Sequence, residues 1–376
     1  MNAGKRRMAA SDRIAVFFAT SGRSGVDRLL RHLLPEMARR GQAVDLLRVR
    51  GHGPELSEHP EGLRVVDLGA AHVPTALPAL VRYLRRERPA VLFSGKDRVN
   101  RAAYLARRLA GAELRQVFRY GTTPSVALPR RPIPERWLQA WSLPRLYRRA
   151  DRVLVPSEGV RRDLIETFGV PAERVAAVAS PVIDARLLSE PRPRPDHPWF
   201  AAGEPPVVLG VGELSRRKDF ATLLRAFARL RARRPCRLVL LGEGRERAAL
   251  EALAAELGVA ADVDLPGFRA DPYPFMAHAG VLALTSRWEG LGFVLIEAMA
   301  LGTPVAATDC PSGPRELLAE GALGPLVAVG DWRALADALD RTLSEPPDPD
   351  SLRRAAARYE IGAATEAYLA ELAPRV

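Results

Sequence analysis

The feature that most constrains this chain is an alternation, met twice, of short β-branched or apolar runs with longer amphipathic stretches. RIAVFFA (13–19) is followed by a helical pattern over 25–40 and then by AVDLLRV (43–49). RVVDLG (64–69), PALVRYLRRER (78–88), AVLFSG (90–95), VNRAAYLARRLAG (99–111), LRQVFRY (114–120) and DRVLVPS (151–157) continue it. Such alternation predicts βα units on a parallel sheet. Segment 186–206 then carries six prolines, which exclude helix and central strand, and it reads as a linker.

Beyond it the pattern restarts. VVLGVG (207–212), RLVLLGEG (237–244), VDLPGF (263–268), GVLALTS (280–286) and PVAATD (304–309) alternate with helical stretches over 219–233, 245–257 and 293–301. The expected fold is α/β, with two Rossmann-like parallel-sheet domains facing across a cleft and ligands held beyond the strand C-termini. The expected division is residues 1–185 for the first domain and 186–355 for the second. A last helix in 356–376 is expected to pack back on the first.

A chain of 376 residues, 47% hydrophobic and 27% charged, folds compactly, which excludes disordered and fibrous classes. No apolar run approaches the roughly 18–20 residues of a membrane span, and MNAGKRRMAASD (1–12) lacks the apolar core of a signal peptide. Cys236 and Cys310 stand far apart with no His/Cys cluster, so neither a disulfide framework nor a zinc site is indicated. A cytoplasmic location is expected.

The net charge of +12 is unevenly placed. Residues 1–185 carry 33 Lys+Arg against 18 Asp+Glu, or +15, which leaves −3 for the remainder. Codon bias toward Arg would act on both halves, so the asymmetry points to an anionic partner for the first. Nucleic acid fits poorly, because no recognition helix, RNP aromatic pattern or OB arrangement is present. An anionic membrane surface fits segment 129–152, where Trp137 and Trp141 interleave with arginines. There Pro144 is expected to interrupt any long helix, and the two tryptophans read equally as core.

The richest chemistry lies in SRWEGLGFVLIEAMALGTPV (286–305). Glu289 follows a buried strand, and Glu297 falls inside the next helix. Between them Gly290, Leu291 and Gly292, with Phe293, bring backbone amides to a helix N-terminus, which favours an anion such as a phosphate. Carboxylates accept bonds from hydroxyls while amides hold phosphate, so a sugar phosphate suits the set. The bland alternative makes Glu289 a helix cap and Glu297 a solvated residue. Lys218, one of three lysines, stands in a strand-to-helix loop where a cation could neutralise a diphosphate. The turn SGRSGVDR (21–28) places Gly25 where its amide could meet a phosphate or sugar, or else Ser24 simply caps a helix.

Together these stretches resemble the retaining glycosyltransferases of family 4, whose two-Rossmann architecture is called GT-B. The likeness runs through almost the whole chain and is close in VGELSRRKDFATLLRAFARL, LVLLGEGRERAALEAL, LPGFRADPYPFMAHA and TSRWEGLGFVLIEAMALGTPVAATDCPSGPREL. VRYLRRERPAVLFSGKDRVNRAAYLARRLAG is similar to the branch that builds bacterial surface glycans.

The resemblance implies a nucleotide-sugar donor as co-substrate, with a UDP-sugar favoured, and neither metal nor cofactor. It implies that Glu297 binds ribose hydroxyls, that Glu289 holds donor-sugar hydroxyls, and that Lys218 stabilises the departing diphosphate. The amides at 291–293 would contact sugar and phosphate, while Phe268 and Arg269 would hold the base. The implied acceptor is a glycan or lipid-linked sugar of cell-surface polysaccharide or lipopolysaccharide synthesis. Three departures stand out. Glu213 occupies the place of the usual diphosphate-binding arginine, Arg119 and Tyr120 stand where an acceptor-side histidine is common, and Ala179–Ser180 replace an asparagine before Pro181. A catalytically impaired relative acting as a scaffolding subunit is the alternative these departures suggest.

Overall fold

The computed structural model describes residues 11–20, 22, 24–130 and 132–373. The sequence runs 1–10, Ser21, Arg23, Arg131 and 374–376 lie outside the described residues, so part of the SGRSGVDR turn does too. The chain forms two compact units. The first comprises residues 1–156, 161–181 and 361–376, and the second comprises 157–160 and 182–360.

The first unit holds a seven-stranded sheet of β1 (Ser11–Phe18), β2 (Val44–Arg48), β3 (Leu63–Asp67), β4 (Pro89–Gly95), β5 (Arg115–Arg119), β6 (Arg152–Val155) and β7 (Val175–Ala177). Its order is β3-β2-β1-β4-β5-β6-β7, and every neighbouring pair is parallel. Central strands buried on both faces need continuous apolar runs, as VLF in β4 and VF in β5 supply.

Helix Gly25–Arg39 opens on a capping box in which the Asp27 amide donates to the Ser24 hydroxyl and the Ser24 amide donates to Asp27. A cap of this kind is worth about 1 kcal/mol. The helix buries Leu29, Leu30, Leu33 and Leu34 against the sheet. Helix Ile361–Leu372 joins the same core through Tyr368 and Leu372.

The second unit holds a six-stranded, fully parallel sheet of β8 (Val207–Val211), β9 (Arg237–Leu241), β10 (Val263–Gly267), β11 (Val281–Leu284), β12 (Val305–Thr308) and β13 (Leu326–Val327). Its order is β10-β9-β8-β11-β12-β13. In each sheet the direction of winding reverses once, between β1 and β4 and between β8 and β11. Those reversals are the switch points where open parallel sheets receive ligands.

Three local readings change. The proline-rich segment is no free linker: it lies wholly within the second unit, where Phe200 is buried and His197 packs edge-on to Trp199, Phe200 and Phe275. Rings that find an apolar bed hold even a proline-rich segment in place. Pro144 does not interrupt its helix, which runs from Ile133 to Tyr147. The proline falls in the last turn, where burial of Leu143, Leu146 and Tyr147 offsets the one missing amide donor. On that helix Trp137 and Trp141 are 69% and 60% exposed, so they are surface and not core. Among the described residues no helix is long and apolar enough to cross a membrane.

Candidate active site

At the switch point of the second sheet, β8 leads to the Lys218 loop and β11 leads to Glu289. Lys218 Nζ donates to Glu289 Oε1 at 2.7 Å, Arg217 donates to Oε2 at 2.9 Å, and the Ser286 hydroxyl donates to Oε1 at 2.7 Å. Lys218 and Glu289 are only 8% and 7% exposed. Burial pushes the Glu289 carboxyl up, but the charges of Lys218 and Arg217, with the Lys218 and Ser286 hydrogen bonds, hold it below the usual carboxylate range. The result is a desolvated carboxylate between two cations. Lys218 has three N–H donors and spends one on Glu289, which leaves two for a ligand.

Local backbone explains how Lys218 reaches inward. Gly212 follows β8 at φ +151°, and a Cβ there would sit 2.9 Å from Lys218 Cε. The Thr285 hydroxyl anchors the loop by donating to the Lys218 carbonyl at 2.8 Å. Gly292, at φ +97°, opens helix Phe293–Ala300, and no side chain caps its first amides. Glu289 is therefore engaged with Lys218 and Arg217 and is no helix cap.

Glu297 is the single charged residue of FVLIEAMA, is 1% exposed, and accepts a bond from the Tyr273 hydroxyl at 3.2 Å. The solvated-face alternative for Glu297 fails on that burial. The Gly290 carbonyl accepts from Ser157 and Ser312 hydroxyls at 3.0 and 3.1 Å, which fixes the Gly290–Leu291–Gly292 turn. Leu291 and Gly292 are buried and Phe293 is half-buried.

Phe268 and Arg269 follow β10 at the sheet edge, and both are exposed. Gly25 is exposed as the first residue of its helix, in the other unit. Glu213 is exposed, and Arg216, 90% exposed, faces Glu246 at 3.8 Å. Of the two arginines that could compensate for Glu213, Arg217 is the one drawn into the cluster. Sequence reasoning missed Ser286 and Tyr273. Ser286 had a readable signal, since it precedes Glu289 by three residues, whereas Tyr273 is brought to Glu297 only by the fold.

Two fully parallel α/β units, one with a buried cation–carboxylate cluster at its switch point, define the GT-B class of double-Rossmann proteins. Residues 194–359 match the family described as "Glycosyl transferases group 1", and residues 24–181 match the "Glycosyl transferase 4-like domain". The chain belongs to this glycosyltransferase family.

It is 32% identical, over 68% of its length and 67% of the relative's, to the N-acetylgalactosamine-N,N'-diacetylbacillosaminyl-diphospho-undecaprenol 4-alpha-N-acetylgalactosaminyltransferase of Campylobacter jejuni. It is also 32% identical, over 61% of its length, to the lipopolysaccharide core biosynthesis glycosyltransferase LpsE of Rhizobium meliloti, of which it covers 66%. The chain thus spans about two thirds of the length of these curated relatives. Among solved structures, the apo lipopolysaccharide outer core galactosyltransferase WaaB superposes with a TM-score of 0.74 at 20% identity, over 95% of this chain and 98% of that one. Anabaena HepE in complex with UDP superposes with a TM-score of 0.75 at 19% identity, over 96% and 98%. At those identities the likeness establishes the fold.

Proposed function

We propose that this chain moves a hexosyl group, with retention of configuration, from a nucleotide sugar to a glycan or lipid-linked acceptor in cell-surface polysaccharide or lipopolysaccharide synthesis. A UDP-sugar is the favoured donor. The observation that carries the reading is Lys218: a buried ammonium at a switch point, held by Glu289, with two N–H donors left over. The names of the curated relatives, a lipid-diphosphate-directed sugar transferase and a lipopolysaccharide core transferase, support the acceptor class.

In this reading Lys218 and the uncapped amides beyond Gly292 stabilise charge growing on the departing diphosphate. The cationic work at the leaving group falls to these groups, with no bound metal in the scheme. Glu297 takes the ribose hydroxyls, and Glu289 orients the donor sugar while holding Lys218 in place. Phe268 and Arg269 lie beside the base. The acceptor hydroxyl attacks on the leaving-group side, and the departing phosphate takes its proton. Glu213 is exposed and is not among the side chains that bond Glu289, which are Lys218, Arg217 and Ser286.

We further place the protein at the cytoplasmic face of a membrane. Helix Ile133–Tyr147 presents Ile133, Trp137, Leu138 and Trp141 to solvent, and Arg145 stacks on Trp141 at 4.8 Å. An apolar stripe edged with arginine suits an anionic lipid surface.

Thermal melting with UDP, GDP, their sugar conjugates and ATP as control tests the donor reading. At about 100 times its dissociation constant a true ligand adds roughly 2.7 kcal/mol of stability. The expected result is a selective shift with UDP compounds that Glu297→Ala abolishes. No shift with any nucleotide would overturn the transferase reading in favour of the scaffolding one.

A further inference from the structure

The first unit contains a cavity of about 460 Å³ at its own switch point, where β1, β4 and β5 end. Phe18 and Ala19 wall it at the end of β1, Lys96 and Arg98 beyond β4, and Arg119 and Gln139 complete it.

Arg119 is its most unusual member. It is 5% exposed and forms no ion pair with any described residue, and its side chain donates only through Nε, to the Tyr368 hydroxyl at 3.2 Å. Neither terminal guanidinium nitrogen has an acceptor among the described residues, and Gly121 and the cavity lie beside them. A buried, unpaired guanidinium is costly, and a chain retains one where a ligand supplies the missing anion. The cavity also holds a fully buried acceptor without a donor among the described residues: Gln139 Oε1, whose Nε2 is committed to Glu135 at 3.0 Å.

The surroundings are built to hold Arg119 in place. Asn100 accepts from the Ser94 hydroxyl at 2.8 Å, donates to the Tyr147 hydroxyl at 2.7 Å, and reaches the Arg119 carbonyl at 3.4 Å. Gly121 makes room for the guanidinium, since a Cβ there would lie 3.0 Å from Arg119 Nη1. The acidic groups in the wall are otherwise engaged: Asp97 accepts from Tyr147 at 2.9 Å, and Glu135 accepts from Gln139. Lys96 stands at the mouth, exposed and at φ +73°, a conformation held at the start of helix Asp97–Ala110.

We propose that this cavity is an anion subsite that selects acceptors carrying a carboxylate or phosphate group, with Arg119 binding the oxyanion, Lys96 assisting, and Gln139 accepting from a neighbouring hydroxyl. That the bound molecule is the acceptor rests on the transferase reading above; that the cavity binds an anion does not. An oxyanion beside a hydroxyl is the chemistry of a uronic acid or a sugar phosphate, and a neutral hexose leaves Arg119 unpaired.

The test is calorimetric titration of the full chain, saturated with UDP, with glucuronate, glucose 6-phosphate and glucose. Glucuronate or glucose 6-phosphate is expected to bind at least ten-fold more tightly than glucose. Arg119→Met should erase that preference while UDP affinity stays unchanged, and Lys96→Ala, at an exposed position, should weaken the anion several-fold without touching the fold. Preference for glucuronate identifies an acidic-sugar acceptor, and preference for glucose 6-phosphate identifies a phosphorylated one. Equal binding of glucose, or anion binding unchanged in both variants, overturns the subsite. Failure of UDP itself to bind, with anion binding intact, counts against the transferase reading alone.

Discussion

Glu289 is an anion whose partners were installed with it. Lys218 and Arg217 hold its folded-state pKa below the ordinary carboxylate value of 4.5. A depressed carboxylate contributes stability that is fully present above that value and is lost as pH falls through the folded pKa. Glu289→Gln would leave two cations facing a neutral amide, one of them buried, which costs on the order of 3–5 kcal/mol near neutral pH. The gap in melting between wild type and Glu289→Gln should therefore be wide at pH 7 and close steadily below pH 4.5. A gap constant over that range would show that the charge is not what matters. The Glu–Lys pairing could be anticipated only in part from the sequence. The strand-end positions of Glu289 and Lys218 were legible in GVLALTS and VVLGVG, but that the two would touch depends on β8 lying beside β11, which local pattern does not encode.

At the scale of elements, the apolar periodicity read most of the molecule, because central parallel strands carry their burial in consecutive residues. It missed β7 and β13, which are VAA and LV, too short to make a periodic signal. It also misjudged helix Ile133–Tyr147, where a proline in the last turn is cheaper than one mid-helix, and where exposure of the two tryptophans depends on which face meets the protein. Since Trp137 and Trp141 contribute little to packing, replacing both with Ser should leave the melting temperature within about 0.5 kcal/mol equivalent of wild type. The same double variant should lose most of its binding to vesicles containing phosphatidylglycerol. Vesicle binding equal to wild type, read by co-sedimentation at low salt, would remove the membrane role of this helix.

For the whole molecule, the decisive feature is that the first unit is discontinuous. Helix Ile361–Leu372 supplies Tyr368 and Leu372 to its core, Tyr368 bonds Arg119, and Glu371 pairs with Arg152 at 2.6 Å. Removing residues 361–376 would take two large buried side chains, Tyr368 and Leu372, out of the core, worth roughly 3–6 kcal/mol at about 1.5–3 kcal/mol each. The truncated chain should melt its first unit early and become protease-sensitive there, while the UDP affinity proposed for the second unit should stay near wild type. Equal loss of both properties would show the units to be one cooperative block. The basic charge of residues 1–185 was readable by counting alone. The anion-ready Arg119 was not, since nothing in VFRYG tells whether an arginine will find a carboxylate.

The discontinuity also sets an order in time. During translation the second unit has all its residues once Glu360 is clear of the ribosome, whereas the first, begun earlier, still lacks the helix that closes its core. Nascent domains usually mature in the order in which they are written. Here the older half must wait, with an open strip of leucines, for a segment made after its younger neighbour is finished, and that interval is where a chaperone would find this chain.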